Sequence, residues 1–212
     1  MECTRKKSAT DWNTSCPCRP TTETLPASDG NGTSGGLAST APQSGGEAAR
    51  ALVIDGENRQ NAGVDADSAM TGLALLAFLA SGQTHRDGAH ADQVRRGLEY
   101  LLSVQSADGN LAGRADLFAR MYSHAMAAFA LSEAYAMTGD PRLRDGVRRA
   151  VAYTVASQDV YGGGWRYRPG DPGDTSQLGW QWMALKSAEL AGIPSGEPTR
   201  QGIMRFLRSV AQ

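Results

Sequence analysis

Apolar segments at helical spacing alternate with short breaks of Gly, Pro and Asp from Ala51 to Gln212. Three of these segments are apolar around most of the helix, which predicts buried helices: SAMTGLALLAFLASG, SHAMAAFALSEAYAMTG and QLGWQWMALKSAELAG. Each ends at or beside a glycine, which favours a helix end there. No stretch sustains an apolar–polar alternation with a period of two, so the pattern predicts an all-α fold.

A second, more amphipathic segment follows each apolar one: RRGLEYLLSVQ, RRAVAYTVASQ and QGIMRFLRSVA. Their aromatic residues, Tyr100, Tyr153 and Phe206, are spaced 53 residues apart. A fixed period of this length is typical of stacked supersecondary units. Residues 51–212 are therefore predicted to form a repeat domain of three helical hairpins. Each hairpin has an inner apolar helix and an outer solvent-facing helix, and we expect the three aromatic residues to occupy equivalent environments.

The loops after the outer helices carry a further motif. In SQDVYGGGWRY, Gln158 and Trp165 flank a run of glycines, and the earlier copy, SVQSADGNL, has Gln105 with Leu111 in place of the tryptophan. The pattern resembles the QW repeat of the prenyltransferase/squalene oxidase superfamily. That superfamily includes squalene–hopene cyclases, other class II terpene cyclases and protein prenyltransferase β subunits.

This resemblance covers about residues 64–212 and implies an α/α toroid, of which three hairpins make a partial arc. It also implies a structural role for Gln105, Gln158 and Trp165, in which the glutamine bonds backbone ends and an indole stacks over it. An arc of three hairpins leaves its concave face open to water.

Two acids, Asp65 and Asp67, open the first inner helix in VDADSAM. Class II cyclases carry a D-x-D-D motif whose middle aspartate protonates an alkene or an epoxide. The resemblance carries this catalytic role to Asp67, with Asp65 beside it. Ser68 replaces the last acid of the motif, which removes one of the neighbours that would tune a proton donor.

The same acids also fit a helix cap, because a carboxylate accepts hydrogen bonds from the free N–H groups of the first turn. Asp174 precedes Gly179 by the same distance as Asp67 precedes Gly72. Capping is the favoured interpretation, and the proton donor is the alternative. In the middle repeat, where Arg120 stands at this position, the expected cap is Ser123.

Besides Asp174, which is also a candidate for a pocket or groove, further candidates lie on the inner helices. His124, at the start of the second one, is predicted to be a packed or capping residue, with a base facing the lumen as the alternative. Trp180 and Trp182 are two residues apart, so only one can face a lumen. The segment HRDGAHAD is interpreted as a solvated turn rather than a metal loop. No metal site is predicted.

The composition limits the function classes. Gly, Ser, Thr and Pro make up 24 of residues 1–50, which predicts a disordered tail. A net charge of −1 gives no reason to expect a nucleic-acid partner. No apolar run approaches the length of a transmembrane helix, and no signal peptide is visible, so the expected compartment is the cytoplasm. All three cysteines lie within the first 18 residues, which disfavours the zinc site of protein prenyltransferases.

These features predict a terpene (squalene) cyclase/prenyltransferase-like repeat domain. As an enzyme it would be a class II cyclase-like isomerase or lyase that protonates an isoprenoid. The alternative is a non-catalytic module that binds a protein or a ligand. An open arc would let water quench a carbocation, which disfavours a stand-alone cyclase. The expected partner is a hydrophobic isoprenoid or a protein in the concave groove, with no cofactor, and an open arc is compatible with an oligomer.

Overall fold

The computed structural model describes residues 65–211 and the backbone of two short strands. The strands are β1 (Val53–Ile54) and β2 (Glu57–Asn58), which pair antiparallel. The described residues form six helices: α1 (Asp67–Ala80), α2 (Ala91–Val104), α3 (Leu117–Thr138), α4 (Pro141–Ala156), α5 (Thr175–Leu190) and α6 (Glu197–Val210). The predicted disordered tail, residues 1–50, lies outside the described residues.

The all-α prediction is confirmed, because helices form the regular structure of the described residues apart from two strands of two residues each. The apolar helices α1, α3 and α5 form a row in which α3 packs between the other two. The amphipathic helix α2 packs on α1, and α4 packs on α3 and α5. Helix α3 is the longest, with 22 residues, and most of its side chains are buried.

Equivalent positions of neighbouring inner helices adjoin each other. The Tyr122 hydroxyl lies 2.5 Å from Ser176 Oγ, and Ser187 Oγ donates to Glu133 Oε1 at 2.6 Å. Both pairs are 54 residues apart, so each joins the same position of two successive repeats. We call the surface of the inner helices on which these pairs lie the inner face. By helical spacing it comprises Ala69, Leu73, Leu76 and Ala80 of α1, Tyr122, Met126, Phe129 and Glu133 of α3, and Ser176, Trp180, Met183 and Ser187 of α5.

The two loop glutamines make the same pair of hydrogen bonds one repeat apart. Gln105 Nε2 donates to Gly109 O at 3.1 Å and to Gly146 O at 2.9 Å. Gln158 Nε2 donates to Gly163 O at 2.8 Å and to Thr199 O at 3.1 Å. In each case the amide joins its own loop to the following outer helix. The 53-residue period is therefore visible in individual hydrogen bonds as well as in helix order.

Two loop glycines lie directly against the next outer helix. Gly109 and Gly163 have φ of 96° and 86°, in the left-handed region that side chains disfavour. A Cβ atom on Gly109 would collide with Arg149 O, and one on Gly163 would collide with Gly202 O. Because both the backbone angle and the space exclude a side chain, glycine is required at these two positions.

The aromatic residues of the outer helices are not fully equivalent. Tyr100 and Tyr153 are half-buried, whereas Phe206 is buried, so the expected equal burial is wrong for the third copy. The Phe206 ring lies against two glycines of the preceding loop, where Cβ atoms on Gly164 and Gly173 would be 2.8 and 2.9 Å from its ring carbons. A phenyl ring without a hydroxyl fits between these backbones with no polar atom to satisfy.

Trp165 is fully buried and makes a hydrogen bond that the sequence did not predict. Its indole N–H donates to Thr154 O at 2.8 Å, at the end of the preceding outer helix. Leu111, which stands in its place in the first copy, is also fully buried. Both copies therefore close the loop with a large apolar side chain, and the tryptophan adds one hydrogen bond to a carbonyl at a helix end.

Candidate functional site

The two acids at the start of the first inner helix are exposed and point to an arginine. Arg114 Nη2 lies 3.2 Å from Asp65 Oδ1 and 3.8 Å from Asp67 Oδ2, and the Asp67 side chain is 64% exposed. The residue at the N-cap of α1 is Ala66, with no side-chain hydrogen bond to the cap. The cap predicted at Asp67 is therefore wrong. Asp67 is the first helical residue, where its negative charge interacts favourably with the helix dipole.

Asp174 makes the cap predicted for it. It is the N-cap residue of α5, and its Oδ1 accepts from Gln177 N at 2.8 Å and from Ser176 Oγ at 2.7 Å. In the middle repeat, helix α3 begins at Leu117, so Ser123 lies inside the helix and the cap predicted there is also wrong. The residue before this helix, Asp116, makes no side-chain cap either.

The difference between these two acids predicts different mutational costs. Asp174→Ala should lower the free energy of unfolding by about 1 kcal/mol, because it leaves a first-turn N–H without its acceptor. Asp67→Ala should cost less than about 0.5 kcal/mol, because it removes only an exposed charge near the helix end. Urea unfolding of both variants measures the difference. Asp174→Asn is the control and should be nearly silent, since asparagine also caps. Equal losses at Asp67 and Asp174 would contradict the assignment.

His124 is buried between the two helix layers and is fully hydrogen-bonded. Its Nδ1 accepts from Leu111 N at 3.1 Å, and its Nε2 lies 2.9 Å from Thr154 Oγ1. A backbone N–H can only donate, so the ring proton of the neutral histidine is on Nε2 and is donated to Thr154. Burial lowers the pKa of His124 to about 3. His124 is therefore a neutral packing residue at physiological pH, which does not fit a general base facing the lumen.

The two tryptophans of α5 lie on different sides of the helix, as their spacing predicts. Trp180 is half-buried and occupies the inner-face position equivalent to Met126. Trp182 is 37% exposed and lies on the side of α5 away from α3. Of the two, only Trp180 is placed to contact a ligand on the inner face.

A pocket of about 290 Å³ opens on the inner face beside the first turns of α1 and α3. We call it the inner-face pocket. Its lining residues are Ala66, Ala69, Phe118, Ala119, Tyr122, Ser123, Met126 and Tyr167. None of these described side chains is charged, and Asp65 and Asp67 are not among them. The chemistry of the lining suits a neutral, mainly apolar ligand.

The aromatic side chains of this pocket are held in place by their neighbours. Phe118 and Tyr167 meet edge to face with ring centroids 4.9 Å apart, and the Arg166 guanidinium lies 5.3 Å from the Tyr167 ring centroid. Tyr122 is fixed by its hydroxyl contact with Ser176. Since these contacts set the rings before any ligand arrives, the pocket is largely pre-formed.

None of the residues that line this pocket was predicted as a pocket residue from the sequence, and Ser123 was predicted only as a helix cap. Phe118, Tyr122 and Met126 recur every four residues along α3, which is the signal of one helix face. The signal was hidden because the predicted start of the helix lay downstream of Phe118. Tyr167 comes from the loop before α5, and nothing local in the sequence indicates that it reaches α3.

The predicted solvated turn HRDGAHAD contains one buried exception. His85 Nε2 donates to Asp140 Oδ2 at 2.8 Å, and both side chains are almost fully buried. Hydrogen bonds from Arg142 hold the pKa of the Asp140 carboxyl well below its usual range. Within residues 65–211, no group of three or more His, Cys, Asp or Glu side chains could hold a metal ion.

No family model, curated protein or solved structure matches the chain. In the part of the chain that the structure describes, none of the helices has both the length and the apolar character needed to cross a membrane. The resemblance to squalene cyclases therefore stays a prediction from the repeat motif, and the functional proposal depends on the geometry of the inner face.

Proposed function

We propose that this chain is a squalene cyclase/prenyltransferase-like repeat domain that binds a neutral apolar ligand in the inner-face pocket and leaves it chemically unchanged. In this proposal the three hairpins are an arc of an α/α toroid and the inner helices line its concave side. The expected ligand class is an isoprenoid alcohol or a molecule of similar size and polarity. A cytoplasmic location stays a prediction.

The observation that carries this proposal is the lining of the pocket. Its volume of about 290 Å³ is near the lower end of typical small-molecule sites. Apolar and aromatic side chains from α1, α3 and the loop before α5 converge on it, so a ligand would bury apolar surface against three parts of the fold. The two phenols offer polar contacts for a single hydroxyl group on the ligand.

The positions of the acids favour binding over cyclisation. Protonation of an alkene needs a carboxylic acid enclosed with the substrate in a dry, low-dielectric site. Asp65 and Asp67 are instead exposed and lie beside the Arg114 guanidinium. His124, the other titratable candidate, is buried between the inner and outer helices with both ring nitrogens hydrogen-bonded. Neither group is placed to give a proton to a ligand in the pocket.

The test is calorimetric titration of the full chain with farnesol, followed by recovery of the ligand and its identification by mass spectrometry. Met126→Glu should weaken binding at least about tenfold, because it puts a charge into the apolar lining. Met137→Glu is the matched control on the same helix and face, three turns away from the pocket, and should bind like the wild type. Circular dichroism would verify that both variants keep their helices.

Three results would contradict the proposal. The wild type could fail to bind farnesol, or Met137→Glu could weaken binding as much as Met126→Glu. Recovery of a cyclised product would show that the chain is an enzyme after all. In that last case Asp67→Asn should abolish turnover, while Asp174→Asn should leave it intact.

A further inference from the structure

Neighbouring inner helices meet at two internal junctions, α1–α3 and α3–α5. In each junction one side of the earlier helix packs against the opposite side of the later helix, and the repeat identifies the positions involved. On α1 the side facing α3 consists of Ser68, Gly72, Leu75 and Leu79, all buried. The backbones approach closely here, since a Cβ atom on Gly72 would lie 2.8 Å from Met126 O. On α3 the equivalent positions, which face α5, are Met121, Ala125, Ala128 and Ser132, and all are buried.

The same positions on α5 are exposed. They are Thr175, Gly179, Trp182 and Lys186, and we call them the tail edge. Gly179 is equivalent to Gly72, yet a Cβ atom on Gly179 would meet no atom of the described residues within 4 Å. Helix α5 thus keeps the small residue of the internal junctions, although no neighbour among residues 65–211 packs against it.

The opposite side of each inner helix shows the reverse pattern. On α3 the side facing α1 is Ser123, Ala127, Ala130 and Ala134, and on α5 the side facing α3 is Gln177, Gln181, Ala184 and Ala188, all buried. The equivalent positions on α1 are Met70, Ala74, Ala77 and Ser81, which are exposed. We call them the head edge. Met70 is 66% exposed, although Ser123 and Gln177 at its position are fully buried.

We infer that the tail edge of one chain binds the head edge of a second copy, and that this contact continues the inner-helix row across the two chains. The internal junctions α1–α3 and α3–α5 are built from these same repeat positions, so the proposed interface is a third instance of an existing one. Ala74 and Ala77 on the head edge and Gly179 on the tail edge are small enough for the backbones to approach as they do at Gly72. Trp182 and Met70 supply the apolar surface that the contact would remove from water.

A head-to-tail contact uses two different surfaces, so it has a diagnostic signature. Ala77→Glu disables the head and leaves the tail intact, whereas Trp182→Glu disables the tail and leaves the head intact. Both residues are exposed, so neither change should disturb the fold of a single chain. Val160→Glu is the control, because Val160 is 76% exposed in the loop after α4 and belongs to neither edge.

Sedimentation velocity of the full chain over a wide concentration range makes the test. The wild type and Val160→Glu should associate as concentration rises, while each edge variant alone should stay monomeric. An equimolar mixture of Ala77→Glu and Trp182→Glu should form a dimer, because the intact tail edge of the first variant can bind the intact head edge of the second. A monomeric wild type, dissociation caused by only one edge variant, or a mixture that stays monomeric would each overturn the inference.

Discussion

Asp140→Ala is expected to lower the free energy of unfolding by about 2–4 kcal/mol, because Asp140 is the buried carboxylate of a cluster with His85 and Arg142 and also caps a helix. The Asp140 carboxylate accepts from His85 Nε2 at 2.8 Å, from Arg142 Nη2 at 2.6 Å and from Arg142 N at 3.0 Å. The substitution leaves the buried His85 without its acceptor and α4 without its cap. Urea unfolding measures the loss, and Asp174→Ala, an ordinary cap, should cost much less.

The pH dependence of the unfolding free energy distinguishes the contribution of the Asp140 charge from that of its size and shape. Because the pKa of Asp140 is lower in the folded than in the unfolded state, its charge stabilises the fold above the usual carboxyl pKa of about 4. That contribution is lost as pH falls below this value. The stability gap between wild type and Asp140→Asn should therefore narrow from pH 5 to about pH 2. Both proteins keep Asp108 and Glu189, whose pKa values are also lowered, so their effects cancel. A gap independent of pH would contradict the ionised role of Asp140.

Gly163→Ala is the second substitution with a large expected effect. Its φ of 86° costs an alanine roughly 1–2 kcal/mol, and the collision of the new Cβ with Gly202 O adds an overpacking cost of about 1–3 kcal/mol. The expected total is at least about 2 kcal/mol, measured by urea unfolding. The clash would also push the loop away from α6, so the hydrogen bond from Gln158 to Thr199 should weaken.

Gly170→Ala is the matched control for this change. Its φ of 78° is similar, but a Cβ atom there would meet no atom of the described residues within 4 Å. It should therefore show the conformational cost alone. Equal losses of unfolding free energy for Gly163→Ala and Gly170→Ala would show that the close contact between this loop and the next outer helix adds nothing to the cost of the substitution.

The order and period of the helices could be predicted because they depend on local patterns. The spacing of Tyr100, Tyr153 and Phe206 marks three outer helices, and the apolar segments before them mark the inner ones. The spacing of the two loop glutamines also indicates that they are equivalent, since each stands five residues after the tyrosine of its outer helix. Helical periodicity reports burial on one face, so a repeated pattern predicts a repeated hairpin.

The starts of the inner helices were harder to predict, because they depend on contacts distant in sequence. Asp67 and Asp174 stand at the same position of the repeat. The carboxylate of Asp67, however, lies beside Arg114, which comes from a loop 47 residues later. In the middle repeat, α3 begins at Leu117 with no side-chain cap, so the usual start signal is missing. A local rule cannot detect an arginine supplied by the tertiary fold.

The pocket and the Asp140 cluster were missed for a related reason. Tyr167 reaches Phe118 across 49 residues, and His85 reaches Asp140 across 55, so neither pair shows in a window of the sequence. One signal for Asp140 was present: aspartate followed by proline is a common start for a helix. It predicts the cap on α4 and says nothing about the buried histidine.

A neutral apolar ligand is proposed to bind on the inner face, between the first turns of α1 and α3 and the loop before α5. The most direct measurement is photo-crosslinking of the full chain with a diazirine analogue of farnesol, with the labelled residues located by mass spectrometry. Labels are expected on Phe118, Tyr122, Met126 and Tyr167, and unlabelled farnesol should suppress them. Labels on the outer helices α2, α4 or α6, or labels that an excess of farnesol does not displace, would contradict the proposed site.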